Sequence, residues 1–239
     1  MAAFHLLQIL TIFIGIQMNR YLVRHKEYER REPHKDARKL YIYCEGEKRE
    51  YEYFKFFRGL SMNIDVIPIP SENGMSDPEK LYDHAYVDFF GTQDSRPRYE
   101  LDVKQGDSIW FVIDTDKWRE HGKIGVLRAN CHQRCMALKD ANYSAWRVAQ
   151  SNPCFELWLY YHFYAEKPNA MVIGNNSFKE FVHYKLEGGF GSQTMPALIR
   201  DAIRNASANY AEDHGEPAEY CTEVFKLGEF ILPFVEDVI

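Results

Sequence analysis

Four short apolar runs, each followed by a stretch of helical periodicity, limit this chain more than any other feature. Leu40–Cys44 (LYIYC), Ile64–Ile69 (IDVIPI), Ser108–Ile113 (SIWFVI) and Ser144–Ala149 (SAWRVA) are rich in β-branched and aromatic residues. Runs of this length and continuity read as buried strands. After the first, Lys48–Leu60 places Tyr53, Phe54, Phe57 and Leu60 at helical spacing. After the second, Asp77-Pro78-Glu79 supplies an N-cap and a first-position proline for a helix to about Phe90. After the third, Lys123–Asp140 carries an apolar stripe on Ile124, Leu127, Cys131, Cys135 and Leu138, and after the fourth Asn152-Pro153 caps an apolar helix through Phe163. This alternation predicts an α/β fold: a mostly parallel sheet flanked by helices on both faces. Pro68 sends the second strand towards an edge, and Gly91–Gly106 reads as a loop or insertion.

Beyond that core, Ser177–Leu186, Met195–Tyr210 and Cys221–Val235 read as helices, giving a C-terminal helical appendage. The expected division is residues 1–39 as an apolar leader plus a basic arm, 40–165 as the α/β domain, and 166–239 as the helical region. The 239 residues, 46% hydrophobic and 27% charged, suffice for a real core and exclude a disordered chain. Five cysteines are too few and odd in number for a disulfide scaffold, which points to the cytoplasm. Between Asn19 and Lys39 stand eight Lys/Arg against four acids, although the whole chain carries −6. The body after that arm is therefore acidic, which argues against tight, non-specific duplex binding by this chain alone. Residues 2–17 are uncharged but shorter than the roughly 20 residues that span a bilayer, and they lack the flanks of a secretory signal. An extension ahead of a start at Met18 is the first reading, a packed helix the second and a membrane anchor the last.

Open α/β sheets bind ligands at the carboxyl ends of their strands. Glu45 follows the first strand, and Asp114-Thr115-Asp116 ends the third. Residues i and i+2 of a strand point the same way, so Asp114 and Asp116 share one direction. Carboxylates that close repel unless a cation lies between them, and Mg²⁺ takes one or two carboxylates with water and phosphate. Each acid alone also fits a solvated loop. Lys48 and Arg49 open a helix, where backbone N–H groups already favour anions, and Lys117 follows the acidic pair; these are the candidate phosphate contacts. Cys131 and Cys135 lie on a helical apolar stripe with no second ligand pair, so they read as core thiols rather than zinc ligands.

A Glu after the first strand with Asp-x-Asp after a later one resembles the Toprim pattern of topoisomerases, primases and OLD-type nucleases. Two strings narrow this: Tyr43-Cys44-Glu45-Gly46-Glu47-Lys48 before an aromatic helix with Tyr53-Phe54, and Ser151-Asn152-Pro153-Cys154-Phe155-Glu156-Leu157-Trp158-Leu159 continuing to His162-Phe163. Both resemble motifs of the RloB family, over about Arg20 to Glu166 and more loosely in the tail. The resemblance implies a Toprim-like fold and a metal-dependent nuclease of an anti-phage, abortive-infection locus. Such an enzyme uses Mg²⁺ or Mn²⁺, acts on DNA or a tRNA-like RNA, and often works beside an RloA-type ATPase. It implies Glu45 as acid/base or metal-linked carboxylate, with Asp114 and Asp116 as metal ligands. Glu47 matches a second Glu that binds metal or favours the helix's positive end. Glu156 is a further carboxylate for a two-metal centre or a first-turn acid, and Asn152 a substrate contact or an N-cap. The competing expectation is a non-catalytic nucleic-acid-binding or effector subunit; a third is another Toprim chemistry such as nucleotidyl transfer.

Overall fold

The computed structural model describes residues 36–71, 76–115, 118, 121–174, 177–186 and 189–239. The apolar leader and most of the basic arm lie outside the described residues, as do Asp116 and Lys117.

Chain order runs β1 (Arg38–Cys44), α1 (Arg49–Lys55), β2 (Ile64–Pro70), α2 (Pro78–Phe90), β3 (Ser108–Asp114), α3 (Lys123–Ala137), β4 (Trp146–Asn152) and α4 (Glu156–Tyr161). There follow α5 (Ala170–Ile173), α6 (Phe178–Lys185), α7 (Ile199–Ala208), the two-residue strands β5 (Glu212–Asp213), β6 (Glu216–Pro217) and β7 (Cys221–Thr222), and α8 (Val224–Val235). The main sheet has the order β2-β1-β3-β4-β7. Its first four strands are parallel and β7 joins antiparallel. This is the α/β, mostly parallel sheet the alternation predicts, consistent with a Toprim-like arrangement. β2 lies at an edge, where Pro68 and Pro70 remove no ladder donor that a neighbour needs.

Alternation along the strands splits the core into two layers. Leu40, Ile42, Cys44, Trp110, Val112 and Ala149 face one side, against α1, α4 and the C-terminal helices α7 and α8. Tyr41, Tyr43, Ile109, Phe111 and Ile113 face the other, against α2 and α3. The stripe Ile124, Leu127, Cys131 and Cys135 is buried there as expected. Asp77 caps α2, accepting the Glu79 N–H at 2.9 Å with Pro78 in the first turn. The Gly91–Gly106 segment is irregular apart from one 3₁₀ turn, Val103–Gln105.

Two local expectations need correction. β4 does not stop at Ala149 but continues through Gln150, Ser151 and Asn152, and the following helix begins at Glu156. Asn152 therefore caps nothing; its side-chain amide donates to the Pro217 carbonyl at 2.9 Å. The polar strand end is permitted because Ser151 and Asn152 pair with Thr222 and Cys221 of β7. For the same reason Cys221–Thr222 is strand, and α8 starts only at Val224. The C-terminal region is helical as expected, and it also closes one sheet face and one sheet edge. Among the described residues no helix is long and apolar enough to cross a membrane.

One polar group lies deep in the aromatic layer. His162 Nδ1–H donates to the Trp158 carbonyl at 2.8 Å, which leaves Nε2 to accept the Tyr53 hydroxyl proton at 3.0 Å. Burial pushes its pKa down to about 4. The unfolded chain then takes up this proton near pH 6.5, before the folded one, so stability falls as pH drops from 6.5 towards 4. Between pH 7.5 and 4.5 this group should remove about 2–3 kcal/mol. Urea unfolding of wild type and His162→Phe at both pH values tests it: the pH-dependent loss should be smaller in the variant by that amount.

Candidate metal and phosphate site

β1 leads through α1 to β2 on one side, whereas β3 leads through α3 to β4 on the other. The carboxyl ends of the adjacent strands β1 and β3 thus form the switch point where α/β sheets open a ligand crevice. Glu45 and Asp114 stand at those two ends, both buried. A cleft of about 270 Å³ opens there, lined by Glu45, Gly46, Lys48, Arg49, Glu50, Asp114, Glu156 and Lys179.

Each acid is held by donors from a different element. The Asp114 backbone N–H donates to Glu45 Oε2 at 2.8 Å, and the Trp118 indole N–H to Glu45 Oε1 at 3.1 Å. Ser71, at the end of β2, fixes the Glu45 carbonyl with a 2.6 Å hydrogen bond from its hydroxyl. Asp114 Oδ1 accepts the Phe155 N–H at 2.8 Å, and Lys179 Nζ lies 3.3 Å from Oδ2. Arg49 makes an ion pair with Glu156 Oε1. Behind Asp114, Thr115 is clamped: its N–H donates to the carbonyls of Ser151 (2.9 Å) and Pro153 (3.0 Å), and its hydroxyl accepts from Gln150 Nε2 at 2.7 Å. Gln150 is fully buried and bonded in turn to Arg128 and Glu216.

The electrostatics are those of crowded acids. Burial, reinforced by the charges of Glu45 and Glu50, holds the Asp114 carboxyl well above the usual carboxylate range. Burial, together with the charges of Glu156 and Glu45, pushes Glu50 up to about 7. Glu50 reaches this place because Gly46 has no Cβ: one built there would collide with the Glu50 carboxylate. The chemistry of the donor set fits a hard dication, which takes oxygen ligands and relieves such repulsion. Glu45 Oε1, Glu45 Oε2 and Asp114 Oδ1 each accept an N–H, and Asp114 Oδ2 faces Lys179. Among the described residues no group of three or more His, Cys, Asp or Glu forms a metal cage. Any dication taken up here would rest on Glu45 and Asp114, the two buried carboxylates at the adjoining strand ends.

Of the residues named from sequence, Glu45, Asp114, Glu156, Lys48 and Arg49 all line the cleft. Asp116 and Lys117 lie outside the described residues. Glu47 is exposed and does not line the cleft. It precedes α1, whereas Glu50 lies within the helix on the buried face of Tyr53 and Phe54. Asn152 is buried against Pro217, away from the cleft lining. Two lining residues escaped the sequence reading. Glu50 was legible, since it stands three and four positions before Tyr53 and Phe54 on one helical stripe. Lys179 had no local signal. A broader depression of 1040 Å³ beside β2 has Lys39, Asp65, Arg96, Arg98, Glu100 and Asp102 among its lining residues, charges that offset one another.

Fold and cleft together define an α/β protein with an acid-rich cleft at the switch point of a parallel sheet. The chain belongs to the RloB family: the family model described as RloB-like protein matches residues 40–231. No curated protein and no solved structure matches the chain significantly.

Glu50 carries a pH prediction of opposite sign to that of His162. Its folded pKa of about 7 lies above the ordinary 4.5, so the folded state is favoured as pH falls from 7 towards 4.5 and penalised above 7. In metal-free buffer at pH 8, Glu50→Gln should stabilise the protein by about 2–3 kcal/mol in denaturant unfolding, and the gain should shrink towards zero at pH 4.5. An equal effect at both pH values would contradict it.

Proposed function

We propose that this chain is a divalent-metal-dependent, Toprim-type nuclease that hydrolyses phosphodiester bonds of DNA or structured RNA in an anti-phage defence system. The observation that carries the reading is the convergence of Glu45, Glu50, Asp114 and Glu156 with Lys48 and Arg49 on one switch-point cleft. Acids gathered to hold a dication, with bases beside them for phosphate, are the pairing that phosphodiester hydrolysis requires. Membership of the RloB family supports the same reading.

In this proposal Mg²⁺ or Mn²⁺ is held by Glu45 and Asp114, with Asp116 as the third ligand implied by the family resemblance. When bound, the ion neutralises charge on the scissile phosphate and makes water a better nucleophile. The chain's own residues do the rest. Trp118 and the Asp114 N–H fix the Glu45 carboxylate, so its lone pairs point one way. Lys48 and Arg49, exposed at the start of α1, face phosphate oxygens as positive charges. Glu50, buried in the same cleft as Glu45 and Asp114, would take a proton from the attacking water or return one to the leaving oxygen.

A second reading has an observation of its own. Asp114 and Glu156 already face Lys179 and Arg49 in ion pairs. That arrangement also suits a non-catalytic, nucleic-acid-binding or effector subunit of an RloA-type ATPase. Turnover separates the two. The full chain, alone and with the ATPase, would be incubated with plasmid, single-stranded DNA and total tRNA in Mg²⁺ or Mn²⁺. The nuclease reading expects metal-dependent cutting that falls about a hundredfold or more in Asp114→Ala while circular dichroism stays unchanged. Cutting that persists in that variant, or none even with the ATPase present, would overturn it.

A further inference from the structure

Lys179 is placed oddly for a surface lysine. It is the second residue of α6, whose start is pinned by a capping box: Ser177 Oγ accepts the Glu180 N–H at 3.3 Å, and Glu180 Oε2 accepts the Ser177 N–H at 2.9 Å. The first turn of a helix favours acids and disfavours cations, because the macrodipole is positive there. Lysine at this position opposes its own helix, yet its stem carries Nζ across the fold to Asp114 Oδ2, 65 residues earlier in the chain.

The contact is also asymmetric. Asp114 Oδ1 is committed to the Phe155 N–H, so Oδ2 is the oxygen turned to the cleft and to Lys179. The Asp114 side chain is 9% exposed and that of Lys179 40%, so the ammonium sits at the rim with access to water. A lysine is a point charge on a flexible four-carbon stem and can swing without disturbing its backbone. A dication entering the cleft and Lys179 would compete for one oxygen.

We infer that Lys179 is the internal counter-cation of the metal-free cleft, that a divalent ion displaces it from Asp114 Oδ2, and that the released ammonium then binds the phosphate brought to the ion. This rests on the metal-binding part of the proposed function and goes beyond it by giving Lys179 two successive anionic partners. The stem, anchored on a capped helix, keeps the displaced charge at the cleft mouth beside Glu50 and Glu156, where the phosphate brought to the ion competes for it.

The two halves have opposite consequences. Without the lysine, the metal meets a more negative, uncontested site and binds more tightly; phosphate loses a contact and binds more weakly. The test uses the full chain as wild type, Lys179→Met, Lys179→Gln and Lys179→Arg. Mn²⁺ affinity is read from the loss of the free-ion electron paramagnetic resonance signal. Phosphate affinity is read from ³¹P line broadening of inorganic phosphate by the Mn²⁺-loaded protein. Met and Gln should tighten Mn²⁺ binding about tenfold and weaken phosphate binding about fivefold, whereas Arg should stay near wild type in both.

Equal or weaker Mn²⁺ binding in both neutral variants would overturn the inference while leaving the metal reading intact. Absence of Mn²⁺ binding by wild type would overturn both. Tighter Mn²⁺ with unchanged phosphate would overturn the second partner, and loss of fold in both neutral variants would make Lys179 a structural ion-pair residue and overturn the whole.

Discussion

The hydrogen bond from the Asp114 backbone to the Glu45 carboxylate, 2.8 Å long and buried, is the contact on which the site depends. It ties the ends of two adjacent parallel strands that are 69 residues apart in the chain. Parallel strands leave their carboxyl ends side by side without any turn to join them. The crevice that results is shaped by whatever the loops put there. Here the loops bring in Ser71 from β2, Trp118 after β3, and the Phe155 N–H before α4. Each gives a partner to one polar atom of Glu45 or Asp114, so burying two acids is tolerated while their mutual repulsion persists in the raised pKa of Asp114.

The C-terminal region completes both the scaffold and the cleft. β7 covers the edge of β4, with Ser151 and Thr222 hydroxyls 2.7 Å apart, and α7 and α8 cover one sheet face. Glu223 accepts from Arg128 and from the Gln150 backbone, and Gln150 in turn holds the Thr115 hydroxyl. A buried chain of hydrogen bonds of this kind is rigid, because loosening one member strands the others. It connects the tail to the Asp114–Thr115 turn, and α6 adds Lys179 from the same region. The site is therefore a product of the whole fold, not only of the sheet.

Much of this was legible in the residues. The four strands and their helices follow from alternation and helical stripes. Glu45 and Asp114 follow from their places after strands, and the Asp77-Pro78 cap of α2 from residue type. Errors arose where polarity misled. Gln150-Ser151-Asn152 looked like a strand ending and a helix cap, because a polar strand end makes sense only beside a partner that satisfies it. Glu47 follows from the family motif, whereas the Tyr53–Phe54 stripe carries Glu50 into the cleft.

The sequence by itself determined the alternating architecture, the family, and which acids end the strands, since periodicity and strand-end position are local properties. Only the tertiary structure decided that Glu50 tucks over Gly46 into the cleft, that Cys221–Thr222 is an edge strand, and that Lys179 faces Asp114. Those outcomes depend on contacts between segments tens of residues apart, whose partners satisfy charge and hydrogen bonding only after the sheet has closed.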